Sequence, residues 1–431
     1  MTNDPGFLQG LAVYLVLSAL GCWAVQATSR QRQNPRFQLI LFLLAFALRF
    51  GLSLAIYQGG LVDVLKDEDA SGWVSGVEIY ESWTDQGISS EDLSRAMSDG
   101  HEGWKHTGYY YLLAVFFCMT GSPFRLVAAA LNGFFGALVV VLAFRISHTL
   151  FSERVARFVG WATCLLPSML VWSALTLKEP VVIFLEMIAL NSCVQMRRGH
   201  KAVRHLAVCA AAAVLLLPFR FYAAYVVGLA AVAALLAPEI VQLRRALPLV
   251  LLAGALIVLM LSTGLIAWQQ LLSDRFDLDR AEAFRHAAAT GGAEAGAGSG
   301  VATEDIRTPG GLVRGLAIGA AHLMLAPFPW QLSGGSARML LTLPELVVWW
   351  YLVFAGLVPG LWHALRCRLK DVLPLCVFIT CLGLLYSLMF GNVGLVFRQR
   401  AQLMPYLLIF VAVGFEQRWL RKRRLASGRC S

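Results

Sequence analysis

The sequence is a series of apolar runs of about 15 to 22 residues joined by short charged connections, and a helix of about 20 residues crosses the ~30 Å hydrocarbon core of a bilayer. In that solvent the backbone must satisfy its own hydrogen bonds, so such runs have to be helices. Of 431 residues, 58% are apolar and 14% charged, against roughly 45–50% and about 25% in soluble domains. Too few charges remain to coat two or three soluble domains. A water-soluble globular protein, a disordered chain, a fibrous one and a small disulfide scaffold are excluded, and the chain is expected to be an all-α polytopic membrane protein forming one integral membrane domain over 1–431.

The formal net charge of +10 would suggest nucleic acid in a soluble protein, but its placement gives another explanation. Basic residues cluster in short connections: Arg30, Arg32 and Arg36; Arg145, Arg154 and Arg157; Arg197, Arg198, Lys201 and Arg204; Arg244 and Arg245; Arg366, Arg368 and Lys370; Arg418 and 421–424. The positive-inside rule assigns these to the cytoplasm, with no nucleic-acid partner implied. The acids lie elsewhere. Of 26 Asp and Glu, 11 fall between Asp63 and Glu102 and 7 between Asp274 and Asp305, which marks 59–105 and 269–311 as outward loops.

Alternating these connections predicts about eleven crossings, with the N-terminus outside and the C-terminus cytoplasmic. They cover 7–26, 37–57, 124–144, 157–175, 180–196, 204–219, 221–237, 247–268, 341–363, 371–390 and 400–416. The start, Met1 to Pro5, has no basic n-region, so the first run is expected to stay as a span. Two shorter apolar stretches, His106 to Gly121 and Leu312 to Pro327, are expected as juxtamembrane or re-entrant helices on the outer face. The first outer loop should carry helices near 71–85 and 90–98, the second opening on Ser-Ser-Glu-Asp, which suits an N-cap. The second outer loop contains 286–300, an Ala/Gly stretch of linker character. Nine cysteines lie in or beside apolar runs, which disfavours a disulfide framework or a cysteine zinc site.

The strongest chemical signal is Lys66-Asp67-Glu68-Asp69, directly after the second span. Three adjacent carboxylates repel one another, so such a group can take a proton from an acceptor hydroxyl or hold a divalent metal; it can equally be an ordinary acidic loop that keeps this end outside. Several cations would gather on the same side against the positive-inside trend: Arg49 within the second span, Lys178 beside Glu179 at a turn, Arg220 in Pro218-Phe219-Arg220-Phe221, and Arg338, Arg398 and Arg400. Each needs a carboxylate or an anionic ligand, and Arg fits a lipid phosphate or pyrophosphate bidentately. A structural ion pair, such as Lys178 with Glu179, is the alternative for each. His106 is either a hydrogen-bond donor or metal ligand near the acids, or part of an interfacial anchor with Tyr109 to Tyr111.

The order of these pieces resembles the GT-C membrane glycosyltransferases, in particular glycosyltransferase family 39, with its protein O-mannosyltransferases and lipid A aminoarabinose transferases. The resemblance rests on Lys66-Asp67-Glu68-Asp69 after an early span, the 106–117 stretch His-Thr-Gly-Tyr-Tyr-Tyr-Leu-Leu-Ala-Val-Phe-Phe, the run from Phe124-Arg125-Leu126 to Asn132, the 145–154 loop and the outer turn Lys178-Glu179-Pro180. It covers roughly Arg49 to Leu190, with a weaker match at Arg-Ala-Gln-Leu-Met-Pro-Tyr from Arg400. An extra N-terminal span and Lys178-Glu179 in place of the more usual Asp depart from the family pattern.

The resemblance implies a GT-C-like fold in the bacterial inner membrane, an inverting transfer from a polyprenyl-phosphate-linked sugar at the outer face, and a glycan, lipid or protein acceptor. It implies a catalytic acid among Asp67, Glu68 and Asp69, a second acid at Glu179, and donor phosphate held by Lys178, Arg220, Arg398 and Arg400, with Arg49, His106 and Arg338 as auxiliaries. A polysaccharide polymerase or ligase using a pyrophosphate-linked glycan would need the same parts. A lipid or glycan transporter, or a non-catalytic assembly subunit that docks through the acidic loop, are the readings from other classes.

Overall fold

The computed structural model describes residues 6–29, 34–61, 70–88, 107–198, 202–236, 305–328, 343–389, 391 and 393–427, and parts of 282–289. All regular structure among them is helical: α1 (Phe7–Thr28), α2 (Pro35–Tyr57), α3 (Ala70–Gln86), α4 (Gly108–Thr120), α5 (Arg125–Leu150), α6 (Glu153–Leu165), α7 (Pro167–Ala174), α8 (Glu179–Arg197), α9 (Ala202–Leu236), α10 (Pro309–Leu325), α11 (Leu343–Leu352), a π turn at Val353–Leu357, α12 (Val358–Leu388) and α13 (Val393–Ser427). Seven helices among the described residues are long and apolar enough to cross a membrane, or eight if the bent pair α6–α7 is one span. The chain is thus a multi-pass membrane protein.

Eleven separate crossings are not reached among the described residues, which give seven or eight. The expected spans 204–219 and 221–237 are one 35-residue run bent at Arg220, where φ is −157° and ψ 85°. Those at 341–363 and 371–390 count as one apolar run, Pro344–Leu388, whose two arms meet at a non-helical break at Arg368. The expected span 247–268 lies outside the described residues, as do the helix at 90–98 and the 290–300 stretch. The predicted helix 71–85 is present as α3, and the two short apolar stretches are present as α4 and α10.

Contacts divide the chain into two compact units, 1–191 with 211–225, and 192–210 with 226–431. In the first, α5 is the buried centre, with α1, α2, α6 and α7 against it. Its core joins Leu41, Phe42 and Phe46 of α2 to Phe134, Val140, Val141 and Phe144 of α5. Arg145 closes one end: its guanidinium donates to Gln38 Oε1 (2.6 Å), Thr28 Oγ1 (2.8 Å), Ser29 Oγ and the Val25 carbonyl (both 3.1 Å). That set of donors ties the α1–α2 connection to α5.

In the second unit, both arms of the bent run lie against α13. Gly360 meets the backbone of Phe410 and Gly414 before the bend, and after it Phe378 packs on Tyr406 while the Tyr386 hydroxyl donates to Gln402. The run therefore folds back on itself at Arg368. α10 starts on Thr308, whose side chain accepts from Gly311 N at 3.1 Å. Its last carbonyls, which a helix leaves without partners, are each met by a side chain: Met324 O by Trp349 Nε1 (2.7 Å), Leu325 O by Trp350 Nε1 (2.8 Å) and Ala326 O by Arg400 Nη1 (2.5 Å).

Candidate functional site

The first unit contains a stretch of non-helical backbone, Leu175 to Lys178, between α7 and α8. At membrane depth such backbone is tolerated only where protein groups take its hydrogen bonds. They do so here. Ser53 Oγ of α2 donates to the Ala174 carbonyl at 2.8 Å, and Asn132 Nδ2 of α5 donates to the carbonyls of Leu175 and Leu177, both at 2.7 Å. The amide orientation of Asn132 is fixed by those two acceptors, since its oxygen in the same place would face two carbonyls. Residue 177 leads straight into Lys178 and Glu179, so Asn132 sets where α8 starts.

Glu179 opens α8, where a carboxylate is favoured by the helix dipole, and Pro180 comes next at a position that needs no N–H. Arg220 reaches it from the bend in α9. Pro218 removes a helical donor just before, and Arg220 leaves helical geometry. Its Nη2 donates to Glu179 Oε1 at 2.5 Å, with side-chain exposures of 7% and 1%. A pair this deep holds together because each charge has its partner; losing either leaves a buried charge.

Two glycine contacts bring the outer helices to the same place. A Cβ on Gly108, the first residue of α4, would lie 2.7 Å from the Cβ of Pro218, two residues before Arg220. A Cβ on Gly76 of α3 would lie 2.9 Å from Leu113 Cβ, and Gly72 of α3 faces Tyr109 and Tyr110. The Gly72-Trp-Val-Ser-Gly76 spacing thus lets α3 lie close on α4. Trp73 adds a bond from Nε1 to the Pro123 carbonyl (3.2 Å) and carries the Arg125 guanidinium over its ring at 4.6 Å. α3, α4, the bend at Pro218–Arg220 and Glu179 are one continuous set of contacts.

Arg49 stands elsewhere in this unit. It is fully buried, and its Nη1 and Nη2 donate to the carbonyls of Ala45 (3.0 Å) and Thr163 (3.3 Å). Gly136 of α5 leaves the room it fills, since a Cβ there would be 2.8 Å from Arg49 Nε. In the second unit, Arg400 is 1% exposed, bonded to Ala326 O, with the Phe397 ring 4.5 Å from its guanidinium carbon and the Glu345 carboxylate as the nearby countercharge. Arg398 lies on the same helix and is half-buried. Asp67, Glu68, Asp69, His106 and Arg338 lie outside the described residues. Among the described residues, no group of three or more His, Cys, Asp or Glu is placed to hold a metal ion.

Sequence reasoning singled out Glu179 and Arg220, which the fold brings together, but missed Asn132 and Ser53 as organisers of that turn. The available signal was a polar amide in the middle of an apolar run, where it needs a partner. Glu186, fully buried two helical turns further along α8, was also missed; a carboxylate inside a span is a functional marker by default. No known protein family, curated protein or solved structure matches this chain.

Proposed function

We propose that this protein is a membrane glycosyltransferase of GT-C-like fold that takes a sugar from a polyprenyl-phosphate donor at the outer face of the bacterial inner membrane, in surface polysaccharide or glycolipid assembly. The supporting observation is the contact series that joins α3 and α4 to the Glu179–Arg220 pair. Gly72, three residues after Asp69 in the sequence, packs on Tyr109 and Tyr110. Gly108 and Pro218 then carry the same contacts to Arg220.

In this reading Asp67 or Asp69 takes the proton from the acceptor hydroxyl as it attacks the anomeric carbon. Arg220 and Lys178 meet the charge that grows on the departing phosphate, Arg220 sharing its guanidinium between that oxygen and Glu179. Asn132 and Ser53 keep the turn in position. Arg49, whose donors go to backbone carbonyls, serves the fold.

The test is mass spectrometry of polyprenyl-linked lipids and surface glycans in a deletion strain complemented with wild type, Asp67→Ala, Glu68→Ala, Asp69→Ala or Arg220→Gln. Accumulation of one lipid-linked sugar, cleared by wild type but not by one acid variant that still inserts, supports the transferase and names the donor. Full complementation by all four variants would overturn it and favour a transporter or an assembly subunit.

A further inference from the structure

We propose that the fold-back at Arg368 and the last turns of α13 form one binding surface for anionic phospholipid headgroups. Gly356 and Gly360 cross α13 with backbones in contact, a Cβ on Gly360 falling 2.7 Å from Gly414 N. Earlier in each helix, Trp349 and Arg400 both bond to the end of α10. Past the bend the second arm runs opposite to α13, Phe378 packing on Tyr406 and Tyr386 further on bonding Gln402, so the fold-back before this arm lies toward the C-terminal end of α13. Arg366 lies six residues past Gly360 and Arg418 four past Gly414.

The first stretch carries Arg366, Arg368 and Lys370 and the second Arg418 and 421–424, all exposed, against Asp371 and Glu416. Two of these cations are held in the same way. The guanidinium carbon of Arg366 lies 4.1 Å from the Trp362 ring centre, and that of Arg423 lies 4.0 Å from Trp419, each one helical turn after its tryptophan. Tryptophan settles at headgroup depth, and an arginine stacked on its face keeps its N–H edge outward for a phosphate. Exposed Leu365, Leu369 and Leu425 sit among the charges. Apolar and cationic groups mixed at the end of a span match the boundary between acyl chains and phosphate, which singles out the lipid leaflet as the occupant.

The test uses the full-length protein in phosphatidylcholine vesicles with trace spin-labelled phosphatidylglycerol or spin-labelled phosphatidylcholine, reading the motionally restricted fraction of each. The expected result is a several-fold preference for phosphatidylglycerol that falls as salt rises; each cation held at the surface is worth up to roughly five-fold at low salt. Glutamine at Arg366, Arg368 and Lys370, or at Arg418 and 421–424, should each reduce the preference. Glutamine at the exposed Arg154 and Arg157 should leave it unchanged. Because removing charge can alter insertion, Arg366→Lys with Arg423→Lys keeps every charge and removes only the stacked fork; it should lower the preference partway. Equal restriction of both lipids in the wild type, or an unchanged preference in both glutamine variants, overturns the proposal.

Discussion

Arg49 Nη2 donates to the carbonyl of Thr163, the oxygen whose helical donor would be the N–H that Pro167 lacks. The break between α6 and α7, a 53° bend, is thus completed by a charged side chain from α2. Arg49→Met should cost about 1–3 kcal/mol, the usual penalty for a buried acceptor left unmet. In a Pro167→Ala background the N–H returns, and the cost of losing Arg49 should shrink. Thermal unfolding of the purified protein checks this; the same loss in both backgrounds would refute the relationship.

Glu179 and Arg220 separate stability from chemistry. Glu179→Gln and Arg220→Gln should each destabilise by about 3–5 kcal/mol, because one buried charge is left alone. Replacing both together, Glu179→Leu with Arg220→Met, should recover most of that stability. It should recover none of the transfer activity if Arg220 meets the donor phosphate. Unfolding curves beside lipid-linked sugar turnover give the two readouts.

Gly414 makes a sharp packing test. A Cβ there would press on the Gly356 carbonyl, so Gly414→Val should destabilise by about 1–3 kcal/mol or part the helices. Gly383→Ala, with nothing within 4 Å, should be close to neutral. Thermal unfolding of the two purified variants checks both expectations.

Asp305 gives a pH effect with a defined sign. Arg307, through side-chain and backbone hydrogen bonds, holds the Asp305 carboxyl below its usual 3.8. A folded-state value below the unfolded one means that the contribution is present above about pH 4 and fades as pH falls through the lower folded value. Both groups are half-exposed, so the effect should be local. Hydrogen exchange at 306–308, the approach to α10, should quicken below that range in the wild type and show little pH dependence in Asp305→Asn.

Much of the fold is legible in hydropathy alone, as with α1, α2 and α5, whose apolar runs are long and uninterrupted. The discrepancies arise where a local feature carries two meanings. Arg220 and Arg368 look like loop residues because charge marks span ends, yet helix continues on both sides of each. Pro167 falls inside a run of suitable length, and nothing nearby announces that Thr163 would be served by a residue 114 positions away. The turn at Lys178–Glu179 was legible because charges are rare in this chain. Its partner was legible only as one of several arginines, since choosing Arg220 depends on the bend at Pro218 and the approach of Gly108. Asn132 and Ser53 stayed hidden because small polar residues in apolar runs also occur as ordinary helix-packing positions.

The fold-back at Arg368 places both arms of Pro344–Leu388 on a helix the ribosome makes after them. At about 5–20 residues per second, the 35 residues of α13 take seconds to appear. During that interval Gly360, Phe378 and Tyr386 have not yet met Phe410, Tyr406 and Gln402. The arms must wait in the lipid with small and polar groups uncovered, a form that membrane proteases and insertion chaperones can recognise. Slowing translation just before Val393 should therefore lower the yield of intact protein without changing a single contact in the finished molecule.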